Sequence, residues 1–116
     1  MANFMNLRVW QQSKDMAVRI YAITRAGEFR SDFGLTDQIR RSAVSVPSNI
    51  AEGDELETDK QAVRHFYIAK GSCAELITQV IISKEVGYIS DDVAKDICGE
   101  CRRISIMLTK IIKARE

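Results

Sequence analysis

The chain is poor in the residues that carry most site chemistry. Among 116 residues it has one histidine, one proline, three cysteines and only 7% aromatics. A single proline against six glycines excludes a linker, a collagenous chain or a disordered tail. The three cysteines, Cys73, Cys98 and Cys101, cannot all pair within one chain, which fits a reducing compartment. Cys98-Gly99-Glu100-Cys101 is a lone C-x-x-C, and a structural zinc site needs four ligands, usually from two such pairs. Only Cys73 and His65 remain to complete one, and Cys73 and Cys101 fall on apolar seams, where a thiol behaves as a small hydrophobe. No G-x-S-x-G elbow or glycine-rich phosphate loop accompanies the single imidazole. The expectation is a protein without catalytic residues, metal or cofactor.

Excess charge is also missing. Seventeen Lys+Arg against sixteen Asp+Glu give a net charge of +1, so bulk electrostatic capture of a polyanion is not indicated. No apolar run approaches the ~18 residues of a membrane span; Val80-Ile81-Ile82 stops at Ser83 and Lys84. Met1-Ala2-Asn3-Phe4-Met5-Asn6 lacks the basic start, apolar stretch and cleavage site of a secretory signal. No membrane partner is expected, and the expected location is cytoplasmic.

What the chain has is 46% hydrophobic residues arranged with helical period. Asn6 reads as the cap of a first helix that runs to Arg25-Ala26 and stops at Gly27. Phe29 and Phe33 follow as a plug for one end of a bundle. A second helix starts near Leu35, carries Ile39, Ala43, Val46 and Ile50, and ends at Gly53. Thr58 with Gln61 forms a capping box for a third helix, about 45 Å long, that runs to Gly87. Its seam is Phe66, Ala69, Cys73, Leu76 and Val80. Ser90 caps a fourth, with a seam of Val93, Ile97, Cys101, Ile104, Leu108 and Ile111. The reading is all-α: one up-and-down antiparallel four-helix bundle domain over residues 1–116.

Two features exceed what a lone bundle needs. Ile68, Ile82 and Val86 project almost opposite the seam of the third helix, and a helix apolar on two sides is usually buried on two sides. They are candidates for an oligomer interface. Pro47 sits inside the second helix, where it frees the carbonyl of Ala43 at a cost of ~3 kcal/mol unless compensated. Ser42, Ser45 and Ser48 are near enough to satisfy freed groups.

Polar candidates lie beside the seams. Gln38, Ser45, Asn49 and Glu52 line the second helix, and Ser72, Glu75 and Gln79 the third. Carboxylates so placed read as structural ion pairs or hydrogen-bond anchors before they read as an acid–base pair. On the fourth helix Lys95, Arg102, Arg103, Lys110 and Lys113 fall within an arc of roughly 100°, with Ile106 in its middle. That combination suits RNA, DNA or an acidic partner that also offers an apolar contact. The near-neutral total conceals this layout. Residues 31–55 carry two basic and five acidic side chains, net −3, whereas residues 101–115 carry five basic and none acidic, net +5.

Leu7-Arg8-Val9-Trp10-Gln11 and the segment Phe33-Gly34-Leu35 through Asn49-Ile50-Ala51-Glu52-Gly53 resemble the four-helix bundle family of 23S rRNA intervening-sequence proteins. Phe66-Tyr67-Ile68-Ala69-Lys70-Gly71-Ser72-Cys73-Ala74-Glu75-Leu76 is similar to that family's second motif, and Gly87-Tyr88-Ile89 to its third-helix stop. The resemblance implies an all-helical bundle that assembles with itself, typically as a homopentameric ring, with no known enzymatic activity. It also relates the chain to accessory proteins of diversity-generating retroelements, which bind nucleic acid and a reverse transcriptase through basic ring surfaces. Asn49, Glu52, Ser72 and Glu75 match the family's polar signature. One departure is that Asp54-Glu55-Leu56-Glu57 is acidic where family members often place a basic residue, which weighs against nucleic acid as the ligand of this member.

Overall fold

Four long helices follow one another in the computed structural model, which describes residues 3–56 and 58–116. Met1 and Ala2 of the amino-terminal reading, and Glu57 of the acidic segment, lie outside the described residues. The helices are α1 (Arg8–Thr24), α2 (Phe33–Glu55), α3 (Asp59–Glu85) and α4 (Asp91–Arg115), with short 3₁₀ turns at Phe4–Asn6 and Gly27–Arg30. No strand occurs among the described residues. The result is an all-α four-helix bundle measuring 43 × 20 × 20 Å, and the 27-residue α3 alone spans about 40 Å of it.

Local signals explain most boundaries. Thr58 Oγ1 accepts from the backbone N–H of Gln61 at 3.2 Å, and Ser90 Oγ from that of Val93 at 3.2 Å. Gly27 and Gly87 adopt φ of +61° and +85°, the left-handed backbone that ends α1 and α3 cleanly. The first cap differs from the sequence reading. Asn6 ends a 3₁₀ turn that Asn3 caps by accepting from Met5 N–H at 2.9 Å, and Leu7 precedes α1 without a side-chain cap. The second helix starts two residues before Leu35, because Asp32 Oδ1 accepts from Leu35 N–H at 3.1 Å.

The core joins all four helices. Ile20, Ile39, Ile50, Phe66, Leu76, Ile97, Ile104 and Leu108 are among its largest fully buried side chains. On α4 the buried line begins at Ala94 and ends at Ile112, while Val93 and Ile111 are half-buried. At 100° per residue Ala94 and Ile112 lie nearer than Val93 and Ile111 to the middle of the face that carries Ile97, Cys98, Cys101, Ile104 and Leu108, so they take the buried places at the two ends. Phe29 plugs the bundle as expected, edge-on to Tyr88 with ring centroids 5.2 Å apart. Phe33 does not; it opens α2 and is 80% exposed.

Pro47 is buried inside an otherwise continuous α2. The neighbouring serines do not turn to the carbonyl it frees. Ser42 Oγ donates to Gln38 O at 3.1 Å, Ser45 Oγ pairs with Ser72 Oγ at 2.8 Å, and Ser48 is exposed. Around the square, α1 packs on α2, α2 on α3, α3 on α4 and α4 on α1, so α4 lies diagonally across from α2.

Candidate functional site

Three surfaces gather the polar, apolar and basic candidates. The first is the α2–α3 seam. Ser72 reaches Ser45, Asn49 Nδ2 donates to Ser45 O and lies 3.0 Å from Ser45 Oγ, and His65 Nδ1 is 3.1 Å from Asn49 Oδ1. Because the Asn49 oxygen faces the ring, Nδ1 carries the proton in this arrangement. Glu52 Oε2 is 3.8 Å from the same nitrogen. Four side chains thus form one hydrogen-bonded chain across the helices, with Glu52 at its edge. Glu75 stays outside this chain. It is exposed and borders an open groove of about 450 Å³ with Gln38, Arg41, Ser42, Ser45 and Gln79. Gln79 Oε1 is shut off from solvent there with no hydrogen-bond partner among the described residues. Glu52 and Glu75 therefore do not share a pocket, as an acid–base pair would require.

The second surface runs beside that groove. Ile68, Ile82 and Val86 are 45%, 45% and 55% exposed. By helical rotation they lie on the α2 side of α3, in register with Glu75.

The third is α4. Ile106 is 57% exposed and forms a ridge between two grooves. Toward α3, a groove of about 330 Å³ has Ile77, Cys73 and Ala74 in its lining, with Lys70 and Arg102. Toward α1, a groove of about 270 Å³ is lined by Arg8, Gln12, Arg103 and Met107. The sequence candidates differ in availability. Lys95 pairs with Asp91 at 3.0 Å and Arg103 with Glu100 at 2.7 Å. Arg102, Lys110, Lys113 and also Arg8 have no ion-pair partner among the described residues.

The cysteines are all reduced and buried. Burial pushes the Cys73 thiol up to about 11 and that of Cys101 to about 12, away from the reactive thiolate. Cys101 Sγ lies 3.3 Å from Met16 Sδ, a packing contact. No group of three or more candidate metal ligands occurs among the described residues.

Comparison with known proteins places this arrangement. The family model described as 23S rRNA-intervening sequence protein matches residues 5–110. The chain belongs to that family. The chain is also similar to the crystal structure of a protein with unknown function from the S23 ribosomal protein family from Bacteroides thetaiotaomicron VPI-5482. The two are 25% identical, the match covers 90% of this chain and 98% of the other, and the TM-score is 0.82. No match to this chain occurs among curated proteins. No described helix is long and apolar enough to cross a membrane.

Seen in this intervening-sequence bundle, the residues missed by sequence reading are Arg8, Gln12 and Lys70. Arg8 and Gln12 join Arg103, and Lys70 joins Arg102, only because α1 and α3 pack against α4. No local spacing signals such a meeting. Gln79 was visible as a polar residue beside the seam, but its unpartnered oxygen follows from burial beside α2.

Proposed function

We propose that this member of the family is a non-enzymatic interaction scaffold that works as a homo-oligomer, with a pentameric ring as its expected form and the cytoplasm as its location. The observation that carries the reading is the stripe of Ile68, Ile82 and Val86, each about half exposed on a helix whose other side is already core. Covering such surface is favourable by about 25 cal/mol per Å² of apolar area. The exposed and separated Glu52 and Glu75 support a structural role over an acid–base pair.

Light scattering coupled to size exclusion tests the reading. The expected result is a defined oligomer at micromolar concentration that dissociates on Ile82→Asp, with helical circular dichroism retained. A stable monomer of the unaltered chain overturns it.

A further inference from the structure

We infer that the α4 face is a docking surface for an acidic amphipathic helix of another protein, seated astride Ile106. This goes beyond self-assembly: the Ile68, Ile82 and Val86 stripe belongs to α3 and its C-cap, whereas this face is centred on α4 and reaches α3 only through the groove that Lys70, Cys73, Ala74 and Ile77 help to line. The relevant shape is an exposed isoleucine between two grooves floored by apolar side chains and edged by cations. Met107 lies in one groove and Ile77 in the other; Arg8 and Arg103 edge the first, Lys70 and Arg102 the second.

Charge at a helix C-terminus often only offsets the macrodipole, and that account suffices for Lys113 in the last turn, while Arg115 beside it is paired with Asp54. It does not extend to Arg102 and Arg103, which stand more than three turns from the end of α4. Nor are the cations fully spent internally, since Arg8, Arg102 and Lys110 have no ion-pair partner among the described residues. The complement is therefore anionic and apolar together.

That pairing separates protein from nucleic acid. A phosphate backbone has no apolar surface for Ile106 and Met107, and single-stranded bases bind by stacking on aromatic rings. No aromatic residue occurs in α4 or lines either groove. An amphipathic helix with apolar residues at i, i+3, i+4 and i+7 supplies a ridge-and-groove partner, and glutamates on its flanks meet the cations.

The probe is a labelled synthetic helical peptide with leucine at those positions and glutamate elsewhere, titrated against the full chain by fluorescence anisotropy. Saturable binding is expected, weakened by salt and reduced roughly tenfold or more by Ile106→Ser and by Arg102→Glu, as for residues at the centre of an interface. Both side chains are exposed, so unchanged thermal unfolding verifies that each variant is folded. Failure to bind at low salt overturns the proposal. Equal binding of a scrambled peptide of the same composition does so too, because charge alone would then suffice. Oligo(dT) or duplex RNA that binds through the same two residues while the peptide does not assigns the face to nucleic acid and also overturns it. Peptide binding by the Ile82→Asp variant but not by the parent oligomer assigns the face to a second copy, the remaining contrary outcome. Oligomeric state, read in parallel, keeps failure here distinct from failure of the scaffold reading.

Discussion

The Arg115 guanidinium and the Asp54 carboxylate meet at 2.8 Å, joining the last turn of α4 to the end of α2. Arg115 also lies over the Phe66 ring, 5.2 Å from its centroid. The Asp54 side chain is only 9% exposed, so loss of this partner leaves its oxygens with little access to water. Arg115→Ala is expected to destabilise the fold by about 1.5–3 kcal/mol, the range for a hydrogen bond to a charged group left unmade. Arg115→Lys should recover part of that, since it restores the charge without the planar fork. Urea denaturation of the three chains measures both.

Gly53 and Gly71 make a matched pair. A Cβ on Gly53 would stand 2.9 Å from Phe66 Cε1, 3.1 Å from Ala62 O and 3.1 Å from His65 Cβ, whereas one on Gly71 meets nothing within 4 Å. Gly53→Ala should therefore cost roughly 1–3 kcal/mol by forcing α2 and α3 apart. Gly71→Ala should gain up to about 1 kcal/mol from helix propensity. Measuring both in the Ile82→Asp background keeps assembly out of the comparison. Equal effects of the two substitutions would contradict the close approach at Gly53.

The same contrast shows what a linear sequence can reveal. Thr58 and Ser90 were legible as caps because a cap is a local device, set within three residues of its acceptor. Asn6 was misread because Asn3 offers the same chemistry one turn earlier and takes the 3₁₀ turn. Phe33 looked like core by residue type, yet its place on the outer side of α2 leaves it exposed. Of the α4 face, the cation arc and Ile106 follow from rotation along one helix. The grooves do not, because Arg8 and Lys70 belong to other helices and arrive there only through packing.

Cys73 and Cys101 make stability depend on alkaline pH. Burial raises both thiols above their ordinary value of 9.0, to about 11 and about 12. Between those limits the unfolded chain releases protons that the folded chain retains, so stability falls as pH rises. The contribution is complete below about pH 9 and is lost progressively through about pH 11 to 12. Cys73→Ala should flatten the decline between pH 9 and 11, measured by urea titrations across that range relative to the parent. Both thiols should also resist iodoacetamide at neutral pH until the chain is unfolded.

Ser72, Ser45, Asn49 and His65 form a continuous polar path between α2 and α3, and their coupling can be measured. If the path acts as a unit, Ser72→Ala removes a partner of Ser45 and leaves Asn49 bonded to a less constrained hydroxyl. Each of Ser72→Ala and Asn49→Ala is expected to cost about 1 kcal/mol, the usual net worth of one neutral hydrogen bond. The double variant should cost less than the sum by at least about 0.5 kcal/mol, because the second change acts on a path already broken. Additivity within about 0.3 kcal/mol would mean that the two bonds act separately. The α2–α3 seam would then rest on two independent anchors.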